Sequence, residues 1–474
     1  MNEVRIRTLK GETMALSVNI LAALHSERHG SLCLPGEAGY EEARTIWNAM
    51  IDRRPGAVVR CQVASDVIGA VRLARDNGLV VAVRGGGHNI AGNAVCDGGL
   101  LIDLSPMRSV HIDSKERSAR IGPGVTLGEF DKEAQSFGLA TPLGINSTTG
   151  VAGLTLGGGF GWLSRKFGLA ADNLISADVV TADGELLHAS GTNNPDLFWA
   201  IRGGGGNFGV ATSFEFKMHP VGPELVSGLI VHPFSRARGL LVGYREVAAA
   251  APDELTIWVV LRKAPPLPFL SADKHGKEIL VFAVCYSGAP ADAEGALGPL
   301  RALGKPLADV IGMQPYAAWQ TAFDPLLAPG AYNYWKSHNF VDLDDGLLDQ
   351  LLRYATSLPT PECEIFIGQL GGATNRVPAD ATAYPHRDAN FVMNVHTRWR
   401  ERGDEQAAIK WTRELFAATA PHATGGVYVN FMPEDDTDRV AGAYGGNFTR
   451  LAALKAKYDP GNLFRLNQNV RPKA

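Results

Sequence analysis

Hydrophobic positions along the chain follow two rhythms, and the change between them divides the sequence. In the first half, short β-branched runs alternate with segments of helical spacing. Val58–Val63 reads as a strand; Ser65-Asp66 opens a helix in which Val67, Ala70, Val71 and Ala74 share a face, and Gly78 ends it. Leu79–Val83 reads as a second buried strand that delivers the chain into Arg84-Gly85-Gly86-Gly87-His88. A glycine loop at a strand end, inside a strand–helix–strand unit, is where open α/β sheets bind ligands. Leu100–Leu104, Val110–Ile112 and Ala119–Ile121 follow as strands, and Thr126 caps a helix running toward Phe137. Ala177–Thr181 and Glu185–His188 form a hairpin about Asp183-Gly184. Ala211–Met218 closes this half, and His219-Pro220 marks a boundary.

Beyond that point the strands lengthen and alternate in polarity: Leu225–His232, Leu255–Leu261, Ile279–Tyr286, Glu364–Leu370 and Phe391–His396. Helices over Arg236–Ala250, Leu347–Ser357 and Glu405–Ala418 separate them. This alternation predicts an antiparallel sheet with helices on one face and the other face free for a ligand. Asn447 to Pro472 reads as a helix followed by an extended, Asn-rich strand. The short apolar stretch Leu16–Leu24 reads as a first amphipathic helix and not as a signal peptide. No apolar run reaches the roughly 20 residues needed to cross a bilayer. The pattern is that of an α+β protein, and a length of 474 residues exceeds what one core usually supports. Two domains are expected: residues 1–220 with a C-terminal return over 435–474, and residues 221–434.

A net charge of −4 gives no electrostatic reason to expect nucleic acid or an anionic membrane as partner, and the cytoplasm is the expected compartment. Cys33, Cys61, Cys96, Cys285 and Cys363 are scattered without a CxxC pair, so neither a metal site nor a disulfide framework is expected. Glycine changes the picture more. Twelve of its 54 residues fall in three runs, Gly85–Gly87, Gly157–Gly159 with Gly161, and Gly203–Gly206 with Gly209. Residues without Cβ let backbone N–H groups converge on an anion, and three such runs beside strands favour a dinucleotide. No early GxGxxG and no GxxxxGK[ST] occurs, which sets aside nicotinamide and P-loop sites.

The motifs Arg84-Gly-Gly-Gly-His88-Asn89, Thr148-Thr149-Gly150-Val-Ala-Gly153, Gly157-Gly158-Gly159-Phe160-Gly161-Trp162, Arg165-Lys-Phe-Gly-Leu169 and Asp172-Asn173 occur in order. Tyr458-Asp-Pro-Gly-Asn-Leu-Phe-Arg-Leu-Asn467-Gln468-Asn469 follows near the C-terminus. Together they resemble the berberine bridge enzyme-like oxidases of the vanillyl-alcohol-oxidase superfamily, from about Pro55 to Pro472. The resemblance implies a PCMH-type FAD-binding fold beside a substrate domain. It implies FAD as cofactor, bonded covalently through His88 at the flavin 8α-methyl. Arg84, Gly85, Gly86, Gly87 and Asn89 would surround that bond. Asn146 stands where many members carry a second linking cysteine, so a single link is expected. Thr148, Thr149, Gly150, Gly153, Gly157, Gly158, Gly159 and Gly161 would run along the cofactor. Asn207 and Gly209 would lie under its diphosphate and adenine side, and Asn467 and Asn469 would support it from the tail.

On the substrate side, Val427-Tyr428-Val-Asn430-Phe431 resembles the family's Tyr-x-Asn strand, which makes Tyr428 the leading base. A phenol needs a cation or donors nearby to act near neutrality. Asn394 falls where relatives carry Gln or Glu and can orient a hydroxyl but not take a proton. His396 shares its strand face and titrates in a useful range, as an alternative base. Tyr444 would stand at the pocket entrance. Ile90 and Phe160 replace tyrosines of the plant members, so the pocket should be more apolar and suit an alcohol, phenol or amine. The expected function is an oxidase passing hydride from such a substrate to flavin N5 and electrons to dioxygen, giving hydrogen peroxide. A small-molecule substrate and O2 are the expected partners. The absence of a bulky residue in Thr148–Val151 favours the oxidase. The alternatives are a dehydrogenase with another acceptor, a carbohydrate oxidase and a non-catalytic flavin binder.

Overall fold

The computed structural model describes residues 3–21 and 30–473. The strand–helix–strand unit forms as the pattern predicts: Ala57–Arg60, the helix Ala64–Asp76, then Val81–Arg84. Asp66 starts the helix by accepting from the backbone N–H groups of Gln62 and Val63, and Gly78 leaves it at φ 57°. Leu100–Asp103 lies between the two strands and parallel to both, and Ser31–Cys33 adds an antiparallel edge. A second, five-stranded antiparallel sheet holds Leu186–Ser190, Leu174–Val180, Val210–Lys217, Ser118–Ile121 and Val110–Asp113 in that order. Gly184, at φ 71°, makes the Asp-Gly hairpin turn.

The third sheet has eight strands. Six of them run Glu224–Pro233, Glu278–Tyr286, Leu255–Lys263, Glu364–Gln369, Phe391–Trp399 and, at the edge, Tyr332–Phe340, each pair antiparallel. Period-2 alternation gives this sheet two unlike faces. Ile257, Val259, Leu261, Ile365, Ile367, Met393 and Val395 pack with Leu240, Tyr244, Leu347, Leu351, Trp411 and Leu415 of the helices Ala237–Ala250, Asp345–Ala355 and Glu405–Thr419. Trp258, Phe366, Asn394 and His396 point the other way, into a cavity. The expected free face exists.

Three expectations fail locally. Tyr332–Phe340 is a strand that the sequence reading did not foresee, because YNYWKSHNF mixes aromatic and polar residues without the usual β-branched run. Leu16 belongs to the strand Thr13–Ser17, paired with Glu3–Arg7 so that Ile6 and Leu16 are both buried. Residues 18–21 are helical, and residues 22–24 lie outside the described residues. The Asn-rich tail joins no ladder. After the helix Phe448–Tyr458, Leu463 and Phe464 enter the core beneath the parallel sheet, while Val470 enters that of the five-stranded sheet. Among the described residues no helix is long and apolar enough to cross a membrane.

The helix Leu127–Gln135 buries an acid, Asp131, whose Oδ2 accepts from Gln320 at 2.9 Å while Oδ1 has no partner. Burial pushes its carboxyl up to about 7, only partly opposed by Gln320. The folded state therefore keeps a proton that the unfolded chain releases near 3.8. This contribution to stability is full below 3.8 and is lost as pH rises through about 7. Asp131→Asn is expected to stabilise the fold, and so raise Tm, by an amount that grows from about pH 4 to 7 and then levels off, on the order of 4 kcal/mol at the plateau. Thermal melts across that range check it.

Candidate active site

A cavity of about 340 Å³ opens between the first glycine loop, the helix Val151–Leu156, the C-terminal tail and the free face of the large sheet. At its first end Gly86 and Gly150 meet backbone to backbone. A Cβ on Gly150 would stand 2.5 Å from the amide nitrogen of Gly86, so neither position has room for a side chain. Gly87, at φ 70°, turns His88 into the cavity, where its ring stacks on Trp47 with centroids 4.9 Å apart and planes 23° apart.

The hydrogen bonds of His88 define its tautomer. The Thr148 backbone N–H donates to Asn146 Oδ1 at 3.1 Å, which fixes the amide orientation. The Thr148 hydroxyl donates to the same oxygen at 2.8 Å. With its proton so used, Thr148 Oγ1 accepts from His88 Nε2, 2.7 Å away. Nε2 therefore carries the proton and Nδ1 keeps its lone pair. Burial holds the imidazole pKa down at about 3, so the ring is neutral.

Gly85, Gly86, Gly87, Asn89, Asn146, Thr149, Gly150, Gly153, Gly209 and Asn467 all line the cavity. Asn467 Oδ1 and Asn469 Oδ1 are buried without a partner, although only Asn467 reaches the wall. Tyr444 also lines it, buried, with its hydroxyl 3.2 Å from Gln468 O.

Other expected cofactor contacts are not in the cavity wall. Arg84 turns away and donates to the carbonyls of Ala43 and Glu42, tying the loop to the helix Tyr40–Arg44. Gly157, Gly158, Gly159 and Gly161 make room for protein. A side chain at Gly157 would collide with Asn430 and one at Gly161 with Leu143 O, while the Gly159 N–H donates to the Tyr428 hydroxyl at 3.2 Å. Asn207 is fully buried and holds the tail, donating to Gln468 O and accepting from the Val470 N–H. A glycine run announces close approach without saying to what.

The substrate side is built on the sheet. Ladder register places Arg262 opposite Glu364, Glu364 opposite His396, and His396 opposite Trp335, one row across four strands. Glu364 accepts from Arg262 at 2.7 Å through Oε2 and lies 3.0 Å from His396 Nδ1 through Oε1. Burial pushes the Glu364 carboxyl upward, but Arg262 and His396 outweigh it and hold it below its ordinary value. His396 Nε2 and Asn394 Oδ1 are buried, unpartnered and on the cavity side. Tyr428 also arrives there, from a 3-10 turn over Val429–Phe431 and not from a strand. Burial pushes its phenol up to about 12, although Asn430 Nδ2 and the Gly159 N–H donate to it.

Trp335, Phe431, Tyr428, Phe160, Trp258 and Phe366 form a continuous aromatic wall, successive ring centroids 4.9–5.9 Å apart. Sequence reasoning missed Trp47, Trp335, Phe366 and the pair Arg262–Glu364. Glu364, Phe366 and Gly368 occupy one parity of a recognised strand, and the polar head of that row was the available signal.

The chain matches the FAD binding domain family over residues 55–190 and the berberine and berberine-like family over residues 427–471. It is 34% identical to (R)-6-hydroxynicotine oxidase of Paenarthrobacter nicotinovorans over 94% of this chain and 97% of that protein. An FAD-linked oxidoreductase of Dictyostelium discoideum is 32% identical over 90% of this chain and 91% of its own. The crystal structure of 6-hydroxy-D-nicotine oxidase from Arthrobacter nicotinovorans superimposes with a TM-score of 0.84 at 31% identity, covering 94% and 98% of the two chains. Fold, cavity and likeness agree: the chain belongs to the berberine bridge enzyme-like family, and it is an oxidoreductase whose cofactor is FAD.

Proposed function

We propose that the protein is an oxidase that holds FAD through one covalent bond to His88 and oxidises a small amine, phenol or alcohol carrying an apolar ring. The residues present suit the cofactor. The glycine loop Gly85–Gly87 and the helix start at Gly150 and Gly153 line the cavity with backbone, and Asn467 Oδ1 offers it a buried acceptor that lacks a donor. Asn89, Asn146, Thr149, Gly150, Gly153, Gly209 and Asn467 would hold it. Bound FAD supplies the two-electron acceptor and returns the electrons to dioxygen as hydrogen peroxide. His88 brings a neutral imidazole with a free Nδ1, the nucleophile that a histidyl link needs. With Asn and not Cys at position 146, no thiol stands ready for a second link.

The observation that carries the substrate reading is the aromatic wall. It excludes water and offers ring faces, which suits a flat or cationic ring better than a hydroxyl-rich oligosaccharide. The (R)-6-hydroxynicotine oxidase relative acts on a compound of that kind by its name.

The test uses the purified yellow protein. Acid precipitation should leave the flavin in the pellet, on the peptide containing His88. Benzylamine, benzyl alcohol or 6-hydroxynicotine should bleach it without air and yield peroxide in air. A colourless pellet removes the tether from the reading. Bleaching without peroxide makes the enzyme a dehydrogenase.

A further inference from the structure

The Arg262–Glu364–His396 row does more than line a wall. It is built from three neighbouring strands in exact register opposition, so the sheet ladder holds it and not a loop. An ionised carboxylate only accepts, so Glu364 Oε1 takes the hydrogen of His396 Nδ1 across 3.0 Å. That leaves a lone pair on Nε2, which is buried, lacks any partner and faces the cavity. Trp335 stands edge-on to the ring, centroids 4.6 Å apart and planes at 87°. Beside it on the same strand face, Asn394 Oδ1 is a second acceptor without a donor. Two orphaned acceptors side by side call for a ligand that brings hydrogen.

We propose that His396 Nε2 is the base that takes the heteroatom-bound proton of the substrate, and that Glu364, anchored by Arg262, is its positioning partner. This rests on the oxidase reading above and assigns the base within it. In the step, the substrate O–H or N–H bond breaks and its proton joins Nε2. The adjacent C–H bond breaks with both electrons, which pass as hydride to FAD, and the substrate gains a C=O or C=N double bond. Glu364 offsets the positive charge that forms on the imidazole. Dioxygen later takes up the two electrons with the hydrogen that moved as hydride and the imidazolium proton, which gives hydrogen peroxide and returns Nε2 to its neutral state. Tyr428, whose phenol burial holds up at about 12, stays protonated and can donate a hydrogen bond.

The charged groups around His396 are few. Glu364 and Arg262 face it from the adjoining strands, and Arg398 on its own strand is engaged by Glu362 at 2.9 Å. Lys336 of the outer strand bonds Asp436 at 2.7 Å, and that strand presents Trp335 to the ring.

The experiment combines spectroscopy with rapid kinetics on the FAD-loaded enzyme. In protein labelled with 15N at histidine, the neutral ring of His396 should appear as the Nδ1–H tautomer. With the fastest of benzylamine, benzyl alcohol and (R)-6-hydroxynicotine, His396→Asn should slow anaerobic flavin reduction by about a hundredfold or more at unchanged flavin content. Glu364→Gln should slow it roughly tenfold and move the rising limb of the pH profile to lower pH, and Glu364→Asp should recover part of the loss. An Nε2–H tautomer, or a His396→Asn enzyme within about threefold of the parent, overturns the assignment. If the parent enzyme is reduced by none of the probes, the oxidase reading fails, and the tautomer still decides the dyad.

Discussion

Replacing His88 by alanine is expected to move all of the flavin from the acid-precipitated polypeptide into the supernatant, while the native variant still binds FAD reversibly. The expectation rests on how narrowly the imidazole is specified. Trp47 fixes the plane of the ring, and the Thr148–Asn146 pair places the proton on Nε2. Nothing else on the cavity wall combines a nucleophilic nitrogen with a glycine loop; the five cysteines are all buried. Reversible binding should survive because the rest of the cavity wall, Asn89, Gly150, Gly153 and Asn467 among it, does not depend on the side chain. Thr148→Val removes both hydrogen bonds of the hydroxyl, each of about 1 kcal/mol, and should slow attachment several-fold without abolishing it. Flavin fluorescence of denatured protein, followed over time after adding FAD to apoprotein, reads both effects. A wild-type level of bound fluorescence in His88→Ala would show that another residue makes the link.

The second large effect lies away from the chemistry. Lys455 and Asp459 form an ion pair with no exposure at either side chain. Lys455 Nζ donates to Asp459 at 2.7 Å, to Asn207 O at 2.7 Å and to Phe464 O at 2.8 Å. Asp459 also accepts from the Leu463 and Phe464 N–H groups. Burial lowers the lysine pKa, and the carboxylate opposes that shift. Lys455→Met leaves a buried carboxylate uncompensated and should cost about 3–5 kcal/mol. Adding Asp459→Leu should cost less than the sum of the single changes, because the second removes the charge that the first stranded. Because Asn467 and Gln468 follow on the same segment, Lys455→Met should also lower the fraction of protein that takes up FAD. Urea unfolding followed by protein and flavin fluorescence separates the two; a loss below about 1 kcal/mol would mean that the pair is open to water.

Much of this architecture was legible because the apolar periodicity is strong where it matters. The central strands of the large sheet alternate cleanly, and their buried parity is the one that meets the helices. The outermost strand of the cavity face was not legible. In Tyr332–Phe340 both parities are buried, one around Trp335 and the other around Lys336 and His338, so no apolar rhythm marks it. The glycine runs show a similar limit. Gly85–Gly87 and Gly157–Gly161 look alike as text, yet the first faces the cavity and the second leaves space for Asn430, Tyr428 and Leu143. Only the partner across the contact distinguishes them, and that partner is distant in sequence. Glu364 escaped for the same reason: its meaning depends on standing opposite His396, a fact of ladder register.

The chain closes its cavity with pieces from far apart, Trp47 and His88 early, Trp335 and His396 in the middle, and Asn467 and Gln468 late. During synthesis the early glycine loop leaves the ribosome long before the tail that faces it. The nascent protein can thus shape its nucleotide-side sheets but cannot enclose a cofactor until the closing segment has emerged and folded back. Full enclosure of the flavin therefore waits until the segment around Asn467 is in place.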